Sequence, residues 1–158
     1  DEFPYRWVHA GTPAADQFVS EAGLVVTATS SPAPILDASN LRDNAIILAV
    51  GAHTVDTREL SEDVLASAQV VVEDFGAARR EAGDVAVGVE KRALDWDDVV
   101  VMADVVRGDV VLDPQQRVVF KTVGMPWEDL AVARALVGRL SWRMFAAPRV
   151  EVVLHLHG

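Results

Sequence analysis

Apolar residues along this chain fall in short, β-branched runs separated by stretches of helical periodicity. Residues 24–29 (Leu-Val-Val-Thr-Ala-Thr), 45–50 (Ala-Ile-Ile-Leu-Ala-Val), 70–73 (Val-Val-Val-Glu) and 117–121 (Arg-Val-Val-Phe-Lys) are such runs. Near-continuous apolar character is how the strands of a parallel sheet read when both faces are covered. The pattern between them predicts a helix over 12–22, with Pro13 near its start and Gly23 as its stop. A second helix is predicted over 62–68, capped by Ser61, with Glu62 and Asp63 on the positive end of its dipole. A third runs over 75–81 and is closed by Gly83. Residues 36–44 read as a connecting turn or short helix, and 95–106 as a helix stopped by Gly108. Pro126 opens the longest helix, 127–145, whose Leu130, Val132, Ala133, Leu136, Val137 and Leu140 predict a broad buried stripe.

Strands alternating with helices predict an α/β fold: a Rossmann-like, mostly parallel sheet with flanking helices, spanning residues 1–147. Residues 5–10 read as a weak first strand. Residues 148–158 depart from the pattern. There Val150, Val152, Leu154 and Leu156 alternate onto one face, which predicts a tail strand at a sheet edge or a subunit contact. In such sheets ligands sit beyond the carboxyl ends of the strands.

With 158 residues, 51% of them hydrophobic, the chain suits one domain with a sizeable core. No apolar run approaches the roughly 20 residues that cross a bilayer, and no leader pattern is visible, so the expectation is a soluble cytoplasmic protein without membrane contact. Cysteine is absent, which excludes disulfide, thiolate and cysteine–zinc chemistry. A formal net charge of −10, with no Lys/Arg cluster, argues against nucleic acid as a partner.

Three polar loops end apolar strands: Thr27-Ala28-Thr29-Ser30-Ser31, Val50-Gly51-Ala52-His53-Thr54 and Lys121-Thr122-Val123-Gly124. Gly, Ser and Thr make turns in any protein. Three such loops on one sheet edge also suit a flat polar ligand that needs close backbone approach. His53 sits at the mouth of that edge. A histidine there can serve as acid or base, although on spacing alone a structural or merely exposed histidine is the commoner case. Ser30 and Ser31 lack the strand-turn-helix context of a nucleophile. His155 and His157 share a strand face without a third ligand, and Asp95, Asp97 and Asp98 read as a solvated helix start, so no metal site is predicted. The 158 residues contain no Gly-x-Gly-x-x-Gly and no Walker-type loop.

These loops and their flanking residues carry a family pattern. The stretch from Val25 to Pro32, followed by Pro34-Ile35-Leu36, resembles the ornithine cyclodeaminase/mu-crystallin family. So do Ala49-Val50-Gly51-Ala52-His53, Asp56, Arg58-Glu59-Leu60, the run Val70 to Asp74, and the run Val119 to Met125 with Glu128 to Ala131. They fall in the family's order and spacing between Leu24 and Leu136. The resemblance implies an NAD(P)-dependent oxidoreductase of small amino or imino acids, of ornithine cyclodeaminase, ketimine reductase or amino-acid dehydrogenase type. It implies NAD or NADP contacts at Thr27, Thr29, Ala49, Val50, Gly51 and Thr57, with Thr122 and Val123 near nicotinamide and substrate. The cyclodeaminases carry an acidic acid/base residue at the position of His53. The substitution leaves proton transfer open to a histidine but departs from cyclodeaminase chemistry. The neighbouring Asp56-Thr57-Arg58-Glu59-Leu60 is closer to the reductase branch, although Val55 replaces that branch's usual proline.

The family's glycine-rich loop and substrate-binding residues find no match in this chain. The expectation is therefore a partial dinucleotide-binding domain with weak or absent NAD(P) binding of its own. The alternative is a non-catalytic family member acting as a dimerising or binding module, with a homodimer built on the tail strand or the last helix.

Overall fold

The structure is a computed structural model that describes residues 8–139. It divides into two compact units, one extending to Val123 and one beginning at Gly124. In the first unit α1 (Pro13–Glu21) leads into β1 (Leu24–Thr27), and a 3-10 turn (Ala38–Asn40) precedes β2 (Ile46–Ala49). Then follow α2 (Glu62–Ala66), β3 (Ala68–Val72), α3 (Phe75–Glu81), α4 (Gly83–Glu90), a 3-10 turn (Trp96–Asp98), β4 (Val100–Val101), α5 (Met102–Arg107) and β5 (Arg117–Lys121). The second unit contributes α6 (Pro126–Arg139).

The five strands form one sheet in the order β1-β2-β5-β3-β4, and every pairing is parallel. The four runs read from the sequence are thus strands of one direction, and β5 inserts between β2 and β3. One face carries the core. Ile47, Ala49, Val70, Val72 and Val119 are buried there against Val64 and Leu65 of α2, Ala78 of α3 and Val85 of α4. On the other face Leu24, Val26 and Ile46 stay exposed, while Val118 and Phe120 are half-buried beside Met102 and Val105 of α5. The covering is unequal: β1 and β2 are bare on that face, whereas Val71 of β3 is buried beside α5.

Several expectations change. Gly83 does not stop a helix but begins α4, and its φ is not positive. A Cβ there would stand 2.3 Å from the Thr57 carbonyl oxygen and 2.4 Å from that of Thr54, so close backbone approach explains the glycine. The helix predicted over 95–106 divides into a 3-10 turn, β4 and α5. Val100 and Val101 pair with Val71 and Val72, because the Val99–Val101 run is β-branched and better accommodated in the sheet. Gly108 does close α5, at φ 80°. The helix behind Ser61 ends at Ala66, and the Ser61 hydroxyl bonds the Asp63 carboxylate rather than a backbone N–H. The apolar residues of α6 are not a buried stripe: Leu130, Val132, Leu136 and Val137 are all exposed. Residues 8–10 form no strand, and the tail expected at 148–158 lies outside the described residues. Among the described residues no helix is long and apolar enough to cross a membrane.

Candidate active site

Because β1, β2 and β5 are adjacent and parallel, their carboxyl ends lie side by side. The three polar loops therefore share one edge, where open parallel sheets bind ligands.

A single carboxylate organises that edge. Glu59 lies in the segment leading to α2 and is fully buried. Its Oε2 accepts the Thr27 hydroxyl at 2.8 Å and the Gly51 N–H at 2.8 Å, and its Oε1 accepts the Thr29 N–H at 2.5 Å. The loop after β1 is thereby fastened to the loop after β2. Burial by itself would raise the carboxyl pKa. The donors from Thr29, Thr27 and Gly51 more than offset it and hold Glu59 below the ordinary carboxylate value. The loops also touch directly: a Cβ on Gly51 would stand 2.0 Å from the Thr29 carbonyl oxygen and 2.5 Å from Glu59 Oε1. No other residue fits at position 51.

Asp84, on α4, seats Glu59. Its Oδ1 accepts the N–H of Glu59 at 2.7 Å and of Leu60 at 2.9 Å. Its Oδ2 has no hydrogen-bond partner among the described residues and lies 3.8 Å from Lys121 Nζ, which donates to the Ala49 carbonyl at 3.0 Å. Both side chains are buried. Burial pushes the Asp84 carboxyl up and the Lys121 ammonium down, and their mutual attraction opposes both shifts without cancelling them. Glu73, just after β3, secures the third loop by accepting the Thr122 hydroxyl and, at 3.1 Å, the Val123 N–H.

His53 is exposed, with Nδ1 2.6 Å from the Gly51 carbonyl oxygen. A carbonyl can only accept, so Nδ1 carries the proton and Nε2 of the neutral ring is left as its basic atom. The other expected site residues fall into three groups. Thr29, Val50 and Gly51 reach the surface of the edge, and Thr122 and Val123 are half-buried beside it. Thr27 and Ala49 are buried supports, and the Ala49 carbonyl is also taken by the Thr122 N–H at 3.1 Å. Thr57 closes a turn, its hydroxyl donating to the Thr54 carbonyl at 3.0 Å.

The Glu59–Asp84–Lys121 network was not legible as a site. Charged residues at the ends of buried strands, such as Glu73 and Lys121, are the one available hint, since a buried charge must find partners. A polar cavity of about 380 Å³ opens at the opposite, amino-terminal edge, lined by Asp43, Ser67, Gln116 and Arg117. It is a poor ligand site, because the Arg117 guanidinium is already spent on Ser67 Oγ and the carbonyls of Ala38, Leu41 and Arg42. Among the described residues no three His, Asp or Glu side chains are placed to hold a metal.

Known proteins similar to this chain in sequence and fold are alike in kind. The chain is 37% identical to Delta(1)-pyrroline-2-carboxylate reductase 2 of Burkholderia ambifaria over 111 residues, 70% of this chain and 33% of that protein. The crystal structure of a probable ornithine cyclodeaminase from Bordetella pertussis superposes with a TM-score of 0.75 at 34% identity, covering 85% of this chain and 44% of the other. The iminosuccinate reductase of Paracoccus denitrificans, in complex with NAD+, gives 0.73 at 28% identity, covering 87% and 42%. The chain thus spans about a third of the length of the curated relative. The sequence model of the ornithine cyclodeaminase/mu-crystallin family matches residues 6–142, which shows that the chain belongs to that family.

Proposed function

We propose that this chain forms the nicotinamide side of an NAD(P)-dependent oxidoreductase of small amino or imino acids, of the pyrroline-carboxylate or iminosuccinate reductase kind. The observation that carries the reading is the shared edge: Thr29, Gly51 and Val123 are fastened there by two buried carboxylates, with His53 beside them. Exposed Val50 offers apolar surface to a flat ring, and the exposed Ser30 hydroxyl offers a hydrogen bond to its carboxamide. These residues fit the nicotinamide end of a dinucleotide; the chain contains no glycine-rich turn for the pyrophosphate. When bound, the reduced cofactor supplies a hydride to the imine carbon. The C=N π electrons pass to nitrogen, which takes a proton. His53 is the group we assign to that transfer, giving the proton from Nε2 of its imidazolium and recovering it in the reverse direction.

Saturation-transfer NMR with millimolar NADH tests this on the chain as it stands. The expected result is weak binding, with saturation reaching nicotinamide protons more than adenine protons and lost in Gly51→Ala. Saturation confined to adenine, or none at all, overturns the reading.

The second reading, a non-catalytic module that forms a homodimer, draws on the exposed Leu130, Val132, Leu136 and Val137 of α6. Light scattering decides it: Leu136→Lys should raise the monomer fraction, and a chain already monomeric at high micromolar concentration removes the proposal.

A further inference from the structure

We propose that Glu59 is a positioning residue for the acid–base group: by fixing the Gly51 backbone it holds His53 in the tautomer that leaves Nε2 basic. The inference deepens the reading above and rests on His53 being the proton-transfer group.

The argument follows the bonds. Glu59 Oε2 takes the Gly51 N–H at 2.8 Å, and the carbonyl of the same residue takes His53 Nδ1 at 2.6 Å. Glycine is the residue least able to hold its own backbone in place. At position 51 it is required because a Cβ would collide with Thr29, so its orientation must be imposed from outside. Glu59 is suited to impose it, being buried, held by Thr27 and Thr29 on the neighbouring strand end, and seated from below by Asp84 through its own N–H. Two consecutive links thus lead from a buried, multiply bonded carboxylate to an exposed imidazole. Which ring nitrogen of a histidine is basic depends on the bond that the other nitrogen makes. With Gly51 oriented, the carbonyl claims the Nδ1 proton. With Gly51 released, that preference is lost.

A purely structural staple would contribute stability and leave the ring's protonation pattern untouched, which separates the two roles. The measurement is a long-range imidazole ¹H–¹⁵N correlation on the labelled chain near pH 8. The chain has four histidines, so the His53 signals are identified by their disappearance in His53→Gln. The unmodified chain should show His53 in the Nδ1–H form. Glu59→Gln should shift it toward the Nε2–H form and speed amide exchange at Gly51 and Thr29 by about tenfold or more.

Val64→Ala loosens the core without touching the clamp and should leave the tautomer unchanged. Where Glu59→Gln does not fold, Glu59→Asp serves: it keeps the charge but is one methylene short of spanning both loops, and the same shift is expected. An Nε2–H ring in the unmodified chain, an unchanged tautomer in a folded Glu59 variant, or an equal shift in Val64→Ala each overturns the proposal. The readout needs no cofactor, so its failure leaves the nicotinamide reading to the saturation-transfer test, and failure of that test removes the acid–base role of His53 while leaving the Glu59–Gly51–His53 link as a structural one.

Discussion

Replacing Lys121 by methionine tests whether the buried cation is what makes a charged Asp84 tolerable. The two groups stand 3.8 Å apart, both out of contact with water. At an effective dielectric constant of about 20 their attraction is about 4 kcal/mol. Methionine fills much of the same volume. The Ala49 carbonyl that loses the ammonium keeps its bond from the Thr122 N–H, so the damage centres on Asp84 and, at longer range, on Glu59 and Glu73, whose charges also act on Lys121. Breaking a buried pair from one side costs about 3–5 kcal/mol.

Asp84 has an escape, which is to take up a proton. Its folded pKa is already raised from 3.8, and removing Lys121 raises it further. Between the unfolded and folded values the native state holds more protons than the unfolded one, so stability falls as pH rises, by up to about 1.4 kcal/mol per pH unit. Urea unfolding followed by circular dichroism should therefore show Lys121→Met losing about 3–4 kcal/mol at pH 8 and markedly less at pH 5. Combining it with Asp84→Asn should reveal a coupling of about 2–3 kcal/mol. A loss below about 1 kcal/mol at both pH values, or an equal loss at both, would refute the reasoning.

Gly51→Ala should cost about 2–4 kcal/mol in thermal melts, because the new methyl meets backbone on both sides and nothing flexible can yield. Glu59 has a lowered folded pKa, so its contribution is present above the ordinary carboxylate value of 4.5 and is lost as pH falls through the lowered one. Urea midpoints between pH 2 and 6 should show that acid loss in the unmodified chain and a flatter profile in Glu59→Gln. Glu62, held to about 2 by Lys91 and Arg58, is a partly exposed surface group. Glu62→Gln should cost under about 1 kcal/mol and less still in 0.5 M salt, and a larger, salt-independent loss would contradict this.

The β-branched runs at 24–29, 45–50, 70–73 and 117–121 were enough to specify four parallel strands, because burial of an element leaves its mark on its own residues. For the same reason Gly51, Thr29 and Thr122 could be placed at strand ends, and the motif order from Leu24 to Leu136 carried the family. The two-residue strand β4 was too short to show a period of its own and merged with α5 in the pattern. The insertion of β5 between β2 and β3 left no local trace, since strand order is a matter of which edges meet. Gly83 reads as a helix stop until the carbonyls of Thr54 and Thr57 are seen against it. Glu59 shows the limit most plainly. Its donors lie 8, 30 and 32 positions away in the chain, at Gly51, Thr29 and Thr27. A periodicity records which face of an element avoids water. Which donors a buried carboxylate will collect is decided only when the fold brings distant strand ends together, and the candidate site depends on that step.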